Sequence, residues 1–384
     1  MRPQIGLAFF AFILIGANDG GSGVLLPSLQ AFYHVDKATI GLLFLAGTFG
    51  YLGAAFTSGL LVERLGQRRF LLLGAAAFSG GETAFLLRLP FAAVLTGLLL
   101  LGFGVAIIDA GLNSYIAGLP NNTAPLNYLH AFYGLGALIG PLVASAILAL
   151  GWAWNLVYLV WLSLGLLVLG GVAAVFAPAP RPVAPPGERN VLAAVLRLPV
   201  VWLAALFLLL YVGAEVSLGS WSYSFLTETR HEAALFSGWV VSGYWMGLTL
   251  GRLTLVRLAS RVGDRHLITG CLAGVALGIA LVWLVPGSIP AAAGLGLAGF
   301  SLGPIYPTTI ALLSGWVAPR LLPSAIGFLA SAGSIGAAVF PWGAGYLATA
   351  LGLTALLPYI ILLTAAMIGL WAALQIRAGR PAVV

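Results

Sequence analysis

Long apolar runs, separated by short polar segments, follow one another along the whole chain. Twelve of these runs reach about 20 residues, the length that a helix needs to cross a hydrocarbon core of about 30 Å. Within each run the apolar residues are continuous and do not alternate with polar ones, which favours helices over the strands of a membrane barrel. The predicted spans cover roughly residues 4–32, 38–62, 70–88, 90–118, 127–150, 153–176, 199–226, 235–258, 267–285, 289–316, 321–350 and 352–377. The pattern therefore predicts an all-α membrane protein with twelve transmembrane helices.

Composition supports the same class of protein. Of the 384 residues, 61% are apolar and only 7% are charged, whereas a soluble chain carries about 25% charged residues. Too few polar side chains are available to cover a soluble surface of this size. This excludes soluble enzymes, soluble nucleic-acid binders and disordered chains.

A proline-rich segment divides the predicted spans into six and six. It contains the sequence APAPRPVAPPGERN, whose prolines favour an extended, semi-rigid linker. We therefore expect an N-terminal six-helix bundle over 1–176, a cytoplasmic linker over 177–198 and a C-terminal six-helix bundle over 199–384.

The two predicted bundles also repeat each other at an offset of 197 residues. The matching pairs are Gly50 with Gly247, Arg64 to Arg68 with Arg261 to Arg265, Gly102 with Gly299, and Gly136 with Gly333. A parallel repeat of six spans predicts two pseudo-symmetric halves related by an axis along the membrane normal.

Basic residues lie mainly on one side of the predicted spans. Thirteen of them lie on the side that holds both termini: Arg2, Arg64, Arg68, Arg69, Arg181, Arg189, Arg197, Arg257, Arg261, Arg265, Arg320, Arg377 and Arg380. The opposite side holds Lys37, Arg88 and Arg230. Because cytoplasmic loops carry the excess of Lys and Arg, we expect both termini in the cytoplasm, with the chain in a cell inner (plasma) membrane. The net charge of +7 is then a topology signal, and no nucleic-acid partner is expected.

The loop between the second and third spans carries a specific motif. Residues 59–69 read GLLVERLGQRR, which resembles the signature Gly-x-x-x-Asp-Arg-x-Gly-x-Arg-Arg of the major facilitator superfamily, with Glu63 in place of Asp. The resemblance implies the major facilitator fold and a gating role, in which the acid and the arginines hold the outward-facing state. The alternative is that the arginines only anchor the topology. The gating residues would be Gly59, Glu63, Arg64, Gly66, Arg68 and Arg69.

Other segments resemble the fucose-permease branch of that superfamily, which includes the sodium-dependent glucose transporter type. They are residues 16–27, 109–113, 127–136 and 211–221. Asp109 stands where fucose permeases have Glu, and His130 where they have Gln. The resemblance implies alternating-access, proton-coupled symport of a monosaccharide or a similar small polar solute, with Asp109 as the protonation site.

Four acids lie within predicted spans: Asp19, Glu82, Asp109 and Glu215. An ionised acid at a span centre costs roughly 2.5 to 3.5 kcal/mol on insertion scales, so such residues usually face an interior cavity. Asp19, Asp109 and Glu215 lie in spans one, four and seven, which line the cavity in major facilitators. We therefore expect these three to serve proton coupling. Sodium is the competing ion, because Asp19 and span-one carbonyls offer an oxygen cage. Glu82 suits a structural hydrogen bond or a function equally well.

A sugar site needs acceptors and amide donors for hydroxyl groups, and aromatic faces for C–H surfaces. The candidates are Asn18, Asp19, Asn113, Asn127, His130, Tyr133, Glu215, Trp221, Trp245 and Tyr306. Each aromatic is also compatible with packing alone. Arg252, in the eighth span, suits either an ion pair with an acid or a position near the membrane surface.

Other functions remain as alternatives. Export of lipophilic drugs or lipids by proton antiport, and sodium-coupled sugar uptake, both fit the spans. An enzyme is not expected, because only His130 of the four histidines lies in a span, which leaves no three-histidine metal site there. We expect no cofactor, no metal and no catalytic residue, and a monomer whose partners are a small-molecule substrate and the lipid bilayer.

Overall fold

A computed structural model describes residues 3–119, 123–177 and 191–378, without the side chains of 123, 191, 256–260 and 378. The regular structure in these residues is helical, with no strand. The α-helices are α1 (Pro3–Tyr33), α2 (Lys37–Ile40), α3 (Leu42–Leu86), α4 (Phe91–Ala117), α5 (Thr123–Ala149), α6 (Asn155–Val175), α7 (Val191–Leu196), α8 (Pro199–Ser224), α9 (Ala234–Val262), α10 (Asp264–Leu284), α11 (Ser288–Leu302), α12 (Ile305–Leu313), α13 (Leu322–Leu351) and α14 (Leu356–Ala378).

The helices match the predicted spans. In the described part of the chain, ten helical segments are long and apolar enough to cross a membrane. One of these, Lys37–Leu86, contains the second and third predicted spans, because α3 runs through a break at Gly66. Helix α9 occupies the eighth predicted span, and α11 with α12 forms the tenth. The predicted all-α membrane fold is confirmed.

Two glycines make the same sharp turn in equivalent places. Gly66, between the second and third spans, has φ 74° and ψ 160°. Gly263, between the eighth and ninth, has φ 82° and ψ 144°. L-residues with a Cβ are strained in this region, so both turns require glycine. The two positions are separated by the repeat offset of 197, so the repeat is present in the backbone as well as in the sequence.

Replacing Gly66 with Ala should therefore destabilise the protein by about 1–3 kcal/mol, the usual cost of such a backbone conformation. Gly59 lies in the same loop motif, and a Cβ there would meet no atom within 4 Å, so Gly59→Ala is the matched control. Thermal unfolding in detergent should show a lower midpoint for Gly66→Ala and little change for Gly59→Ala. Equal midpoints for the two variants would contradict the strain argument.

The repeat also governs helix packing. In each half, two helices approach so closely that a Cβ on a glycine would overlap a carbonyl oxygen of the neighbouring helix. Between α3 and α4 the overlaps are Gly50 with Leu99 and Gly102 with Gly47. Between α9 and α11 they are Gly247 with Gly296 and Gly299 with Tyr244. The two α9–α11 pairs are the two α3–α4 pairs shifted by 197 residues, so glycines produce the same close packing in both halves.

The chain divides into two compact units. The first comprises Met1–Pro186 with Ala233–Ser242, and the second Gly187–Glu232 with Gly243–Val384. The start of α9 belongs to the first unit because it packs on α5, where the Ser242 hydroxyl donates to the Leu138 carbonyl at 2.8 Å. Most of the predicted linker, 177–198, falls in residues 178–190, outside the described residues. The predicted division into 1–176 and 199–384 therefore stays a prediction.

Candidate functional site

Glycines at four-residue spacing bring α1 and α5 of the first unit into backbone contact. A Cβ at each would overlap backbone atoms of the other helix: Gly16 and Gly20 on α1, and Gly136 and Gly140 on α5. This small-xxx-small arrangement allows the helix axes to approach more closely than larger side chains would permit. Asp19 lies between the two α1 glycines, so the close approach carries it to α5.

Asp19 has polar neighbours from both helices. The Tyr133 hydroxyl on α5 donates to Asp19 Oδ2 at 3.0 Å, and the adjacent Asn18 amide contacts Oδ1 at 3.4 Å. The Ser22 hydroxyl donates to the Asp19 backbone carbonyl at 2.8 Å. The Asp19 side chain is exposed, whereas Ala17 and Gly20 beside it are buried. Asp19 therefore points away from the packed interior of the first unit while it stays bonded to α5.

Asp109, on α4, accepts from two neutral donors. The Tyr51 hydroxyl of α3 donates to Oδ2 at 3.1 Å, and the Asn113 amide, one turn along α4, donates to Oδ1 at 2.8 Å. The same amide reaches the Asp109 backbone carbonyl at 3.0 Å. The carboxylate is half-buried and lies within electrostatic range of His130. Asp19 and Asp109 are thus two acids of the first unit that accept from neutral donors, here called the N-terminal acid pair.

The remaining predicted residues of α5 are His130 and Asn127. The exposed imidazole of His130 packs edge-on against the Phe12 ring of α1, with centroids 5.9 Å apart. Asn127 is exposed on the turn before it. The structure thus brings Asn18, Asp19, Asp109, Asn113 and Tyr133 into hydrogen-bonded groups.

In the second unit, Glu215 is held differently. Arg252 of α9 forms an ion pair with it, with Nη2 3.4 Å from Oε1. The Arg252 Nε donates to the Gly303 carbonyl at the end of α11 at 3.3 Å. The Tyr244 hydroxyl donates to the Glu215 backbone carbonyl at 2.8 Å. Arg252, for which the sequence allowed two roles, therefore pairs with an acid and links α8, α9 and α11.

The predicted aromatics of the second unit occupy three different environments. Trp221 is fully buried, and its indole N–H donates to the Pro341 carbonyl at 2.8 Å, which is a packing position in this structure. Trp245 packs over Gly219, and its buried Nε1 has no hydrogen-bond partner among the described residues. Tyr306 lies 6.2 Å, centroid to centroid, from the ring of Tyr211. Trp245 and Tyr306 are therefore better candidates for substrate binding than Trp221.

Sequence reasoning did not select Tyr51 or Tyr244. Both lie in long apolar spans, where a lone tyrosine is as compatible with packing as with binding. The leucine at 248 stands at the repeat position of Tyr51, so the repeat gave no signal either.

The loop motif is tied to neighbouring helices through backbone carbonyls. After the turn at Gly66, the Gln67 amide donates to the Gly111 carbonyl of α4 at 2.6 Å. The Arg68 guanidinium donates to the Ala173 carbonyl of α6 at 2.8 Å. Glu63, Arg64 and Arg69 are exposed. The motif thus fixes the junction of α3, α4 and α6, and its gating role stays a prediction.

Comparisons with known proteins agree with this architecture. The family profile of the Major Facilitator Superfamily matches residues 8–238 and 217–382. Bypass of stop codon protein 6 of Saccharomyces cerevisiae is 25% identical over 97% of this chain and 81% of its own length. The glucose/mannose transporter GlcP of Bacillus subtilis is 23% identical over 80% of this chain and 79% of its own. The crystal structure of the nucleoside transporter NupG superposes with a TM-score of 0.80 at 14% identity, covering 99% of this chain and all of that one. The chain therefore belongs to the major facilitator superfamily and is a multi-pass membrane transporter.

Proposed function

We propose that this protein carries a monosaccharide or a similar small polar solute together with a proton, by alternating access between the two sides of the membrane. The observation that carries the proposal is the N-terminal acid pair. Asp19 and Asp109 lie within membrane-spanning helices, and their hydrogen-bond donors are tyrosine hydroxyls and asparagine amides. Such a mixture of acceptors and donors suits the hydroxyl groups of a sugar.

The partners of the three acids distinguish residues suited to proton coupling from a residue suited to a structural ion pair. Among the described residues, neither Asp19 nor Asp109 forms an ion pair with Lys or Arg, whereas Glu215 pairs with Arg252. A carboxylate in an apolar span that has no Lys or Arg partner is neutralised most readily by a proton. Glu215 is already compensated by Arg252. We therefore assign proton coupling to Asp19 and Asp109. Glu215, through its ion pair with Arg252, would hold α8, α9 and α11 of the second unit together.

The energy available is sufficient for accumulation. One charge moving through 100 mV supplies about 2.3 kcal/mol, which corresponds to roughly fifty-fold accumulation per proton. Opening of the site to one side and then to the other would let the acids bind the proton and release it across the membrane. Closed states would reject solutes that leave polar atoms of the site without a hydrogen-bond partner.

The topology of the proposal follows from the basic residues. Both termini lie in the cytoplasm, the protein sits in the plasma membrane as a monomer without a cofactor, and the loop motif around Glu63 controls the outward-facing state. The thirteen-to-three distribution of basic residues supports the orientation of the termini. The resemblance of residues 59–69 to the superfamily motif supports the role of the loop.

Transport in proteoliposomes tests the proposal. The purified protein would be offered glucose, galactose, fucose, a nucleoside and a lipophilic cation, with the proton and sodium gradients imposed separately. We expect saturable uptake of one of the sugars, driven by an inward proton gradient and unaffected by sodium. Uptake driven by a sodium gradient alone would show that sodium, and not the proton, is the coupling ion. Transport of the lipophilic cation, with no transport of any sugar, would identify a drug exporter. Transport of the nucleoside alone would contradict the sugar assignment.

A further inference from the structure

Glu82 lies in the second half of α3 and is fully buried, with 0% exposure. Neither of its carboxyl oxygens has a hydrogen-bond partner among the described residues, and the nearby Ser79 hydroxyl has none either. A structural hydrogen bond, one of the two roles that the sequence allowed, is therefore not formed.

The surroundings of Glu82 are apolar and tightly packed. Gly81 lies against the backbone of α4 at Gly97 and Leu101. One turn along α3, Phe85 stacks on Tyr158 of α6, with centroids 4.3 Å apart and planes at 5°. This packing excludes water from the carboxyl group.

Two titratable groups interact with Glu82 electrostatically. They are Asp19 on α1 and Tyr158 on α6, and neither supplies a positive charge. The α4 residues that pack beside Gly81 are apolar. An ionised carboxylate in this position would be buried without a cation or a hydrogen bond, an arrangement that proteins avoid by protonation.

We propose that Glu82 is a second proton-binding site of the first unit, besides the N-terminal acid pair, and that it is occupied by a proton in this packing. This inference rests on the proposed proton coupling. The proton on Glu82 leaves only when movement of α3 against α6 admits water.

The decisive variant is Glu82→Gln, which reproduces the shape and neutrality of the protonated acid but cannot release a proton. In proteoliposomes we expect it to carry about one proton fewer per substrate molecule than the wild type. Substrate counterflow, which needs no net proton movement, should change by less than about twofold. The matched control is Glu228→Gln, which removes an exposed carboxylate and should leave the proton count unchanged. An unchanged proton count in Glu82→Gln would overturn the inference.

A spectroscopic measurement tests the site separately from coupling. Infrared spectra of the wild-type protein in membranes should contain the C=O band of a protonated carboxylic acid at neutral pH, and this band should be missing in Glu82→Gln. If the wild type moves substrate without protons, the proposed coupling fails and the band alone decides whether Glu82 holds a proton. A spectrum identical in the two proteins would show that Glu82 is not protonated and would end the proposal. Should Glu82→Gln fail to fold, Glu82→Asp, which stays titratable, should shift the position of the C=O band, and an unshifted band would show that it does not belong to residue 82.

Discussion

Replacing Asp109 with Asn should abolish uphill uptake while substrate counterflow continues. The asparagine Oδ1 can still accept from Asn113, which now donates to Asp109 Oδ1 at 2.8 Å, and its NH2 group takes the place of Oδ2, where the Tyr51 hydroxyl, now at 3.1 Å, can accept. The variant therefore resembles the protonated state, in which the site binds substrate, but it has no proton to release. Accumulation, which is roughly fifty-fold at 100 mV for each coupled proton, should fall to equality of the inner and outer concentrations.

The matched control for this variant is Tyr51→Phe. It removes one hydrogen bond to Asp109 but leaves the acid able to titrate, so uphill uptake should continue with a weaker apparent affinity. Both variants would be measured in the same vesicles, with accumulation under an imposed proton gradient and counterflow without one. Persistent accumulation by Asp109→Asn would transfer the coupling role to Asp19 or Glu82.

The sequence predicts the fold well because the membrane restricts the choice of structure. Only helices satisfy their own backbone within lipid, so the length of an apolar run is enough to locate a span. The repeat offset predicted equivalent positions, and the matching turns at Gly66 and Gly263 show that it describes the backbone as well. The break at Gly66 separates the second and third predicted spans within α3, whereas the tenth predicted span is divided into α11 and α12, which its apolar pattern did not indicate.

The sequence singled out the acids of the candidate site more readily than the residues that contact them. Asp19 and Asp109 stand out because charge is rare in the spans, and Tyr133 lies in a segment with a family resemblance. The contacts of Tyr51 and Arg252 with the acids depend on which face of α3 or α9 meets a neighbouring helix, and tertiary packing determines that face. Trp221 illustrates the opposite case: its buried indole N–H donates to the Pro341 carbonyl, and its selection as a binding residue stays a prediction.

The two units combine the same packing with different chemistry. Asp109 and Tyr306 stand at equivalent positions of the repeat, as do Asn18 and Glu215. The first unit therefore holds acids with neutral hydrogen-bond donors, and the second holds an acid that is neutralised by Arg252. Under the proposed function, proton exchange belongs to the first half, and the second half positions the substrate.

Breaking the Glu215–Arg252 ion pair should have the second large effect. Glu215→Gln leaves the guanidinium without its anion inside the membrane, where an uncompensated charge is costly. Removing one partner of a fully buried pair costs roughly 3–5 kcal/mol. The Arg252 side chain is 38% exposed, so we expect a smaller loss of stability, about 1–3 kcal/mol. Thermal unfolding in detergent would show it as a lower midpoint, accompanied by weaker substrate binding.

The double variant Glu215→Gln with Arg252→Gln distinguishes a charge effect from a shape effect. With both charges absent, no unpaired ion remains in the span, so much of the stability lost in Glu215→Gln should return. Arg252→Gln alone should lose the contact to the Gly303 carbonyl and leave Glu215 to take up a proton, so its transport should become more dependent on pH than that of the wild type. If the double variant is less stable than either single variant, the pair contributes through packing at α8, α9 and α11, and the argument from charge compensation is wrong.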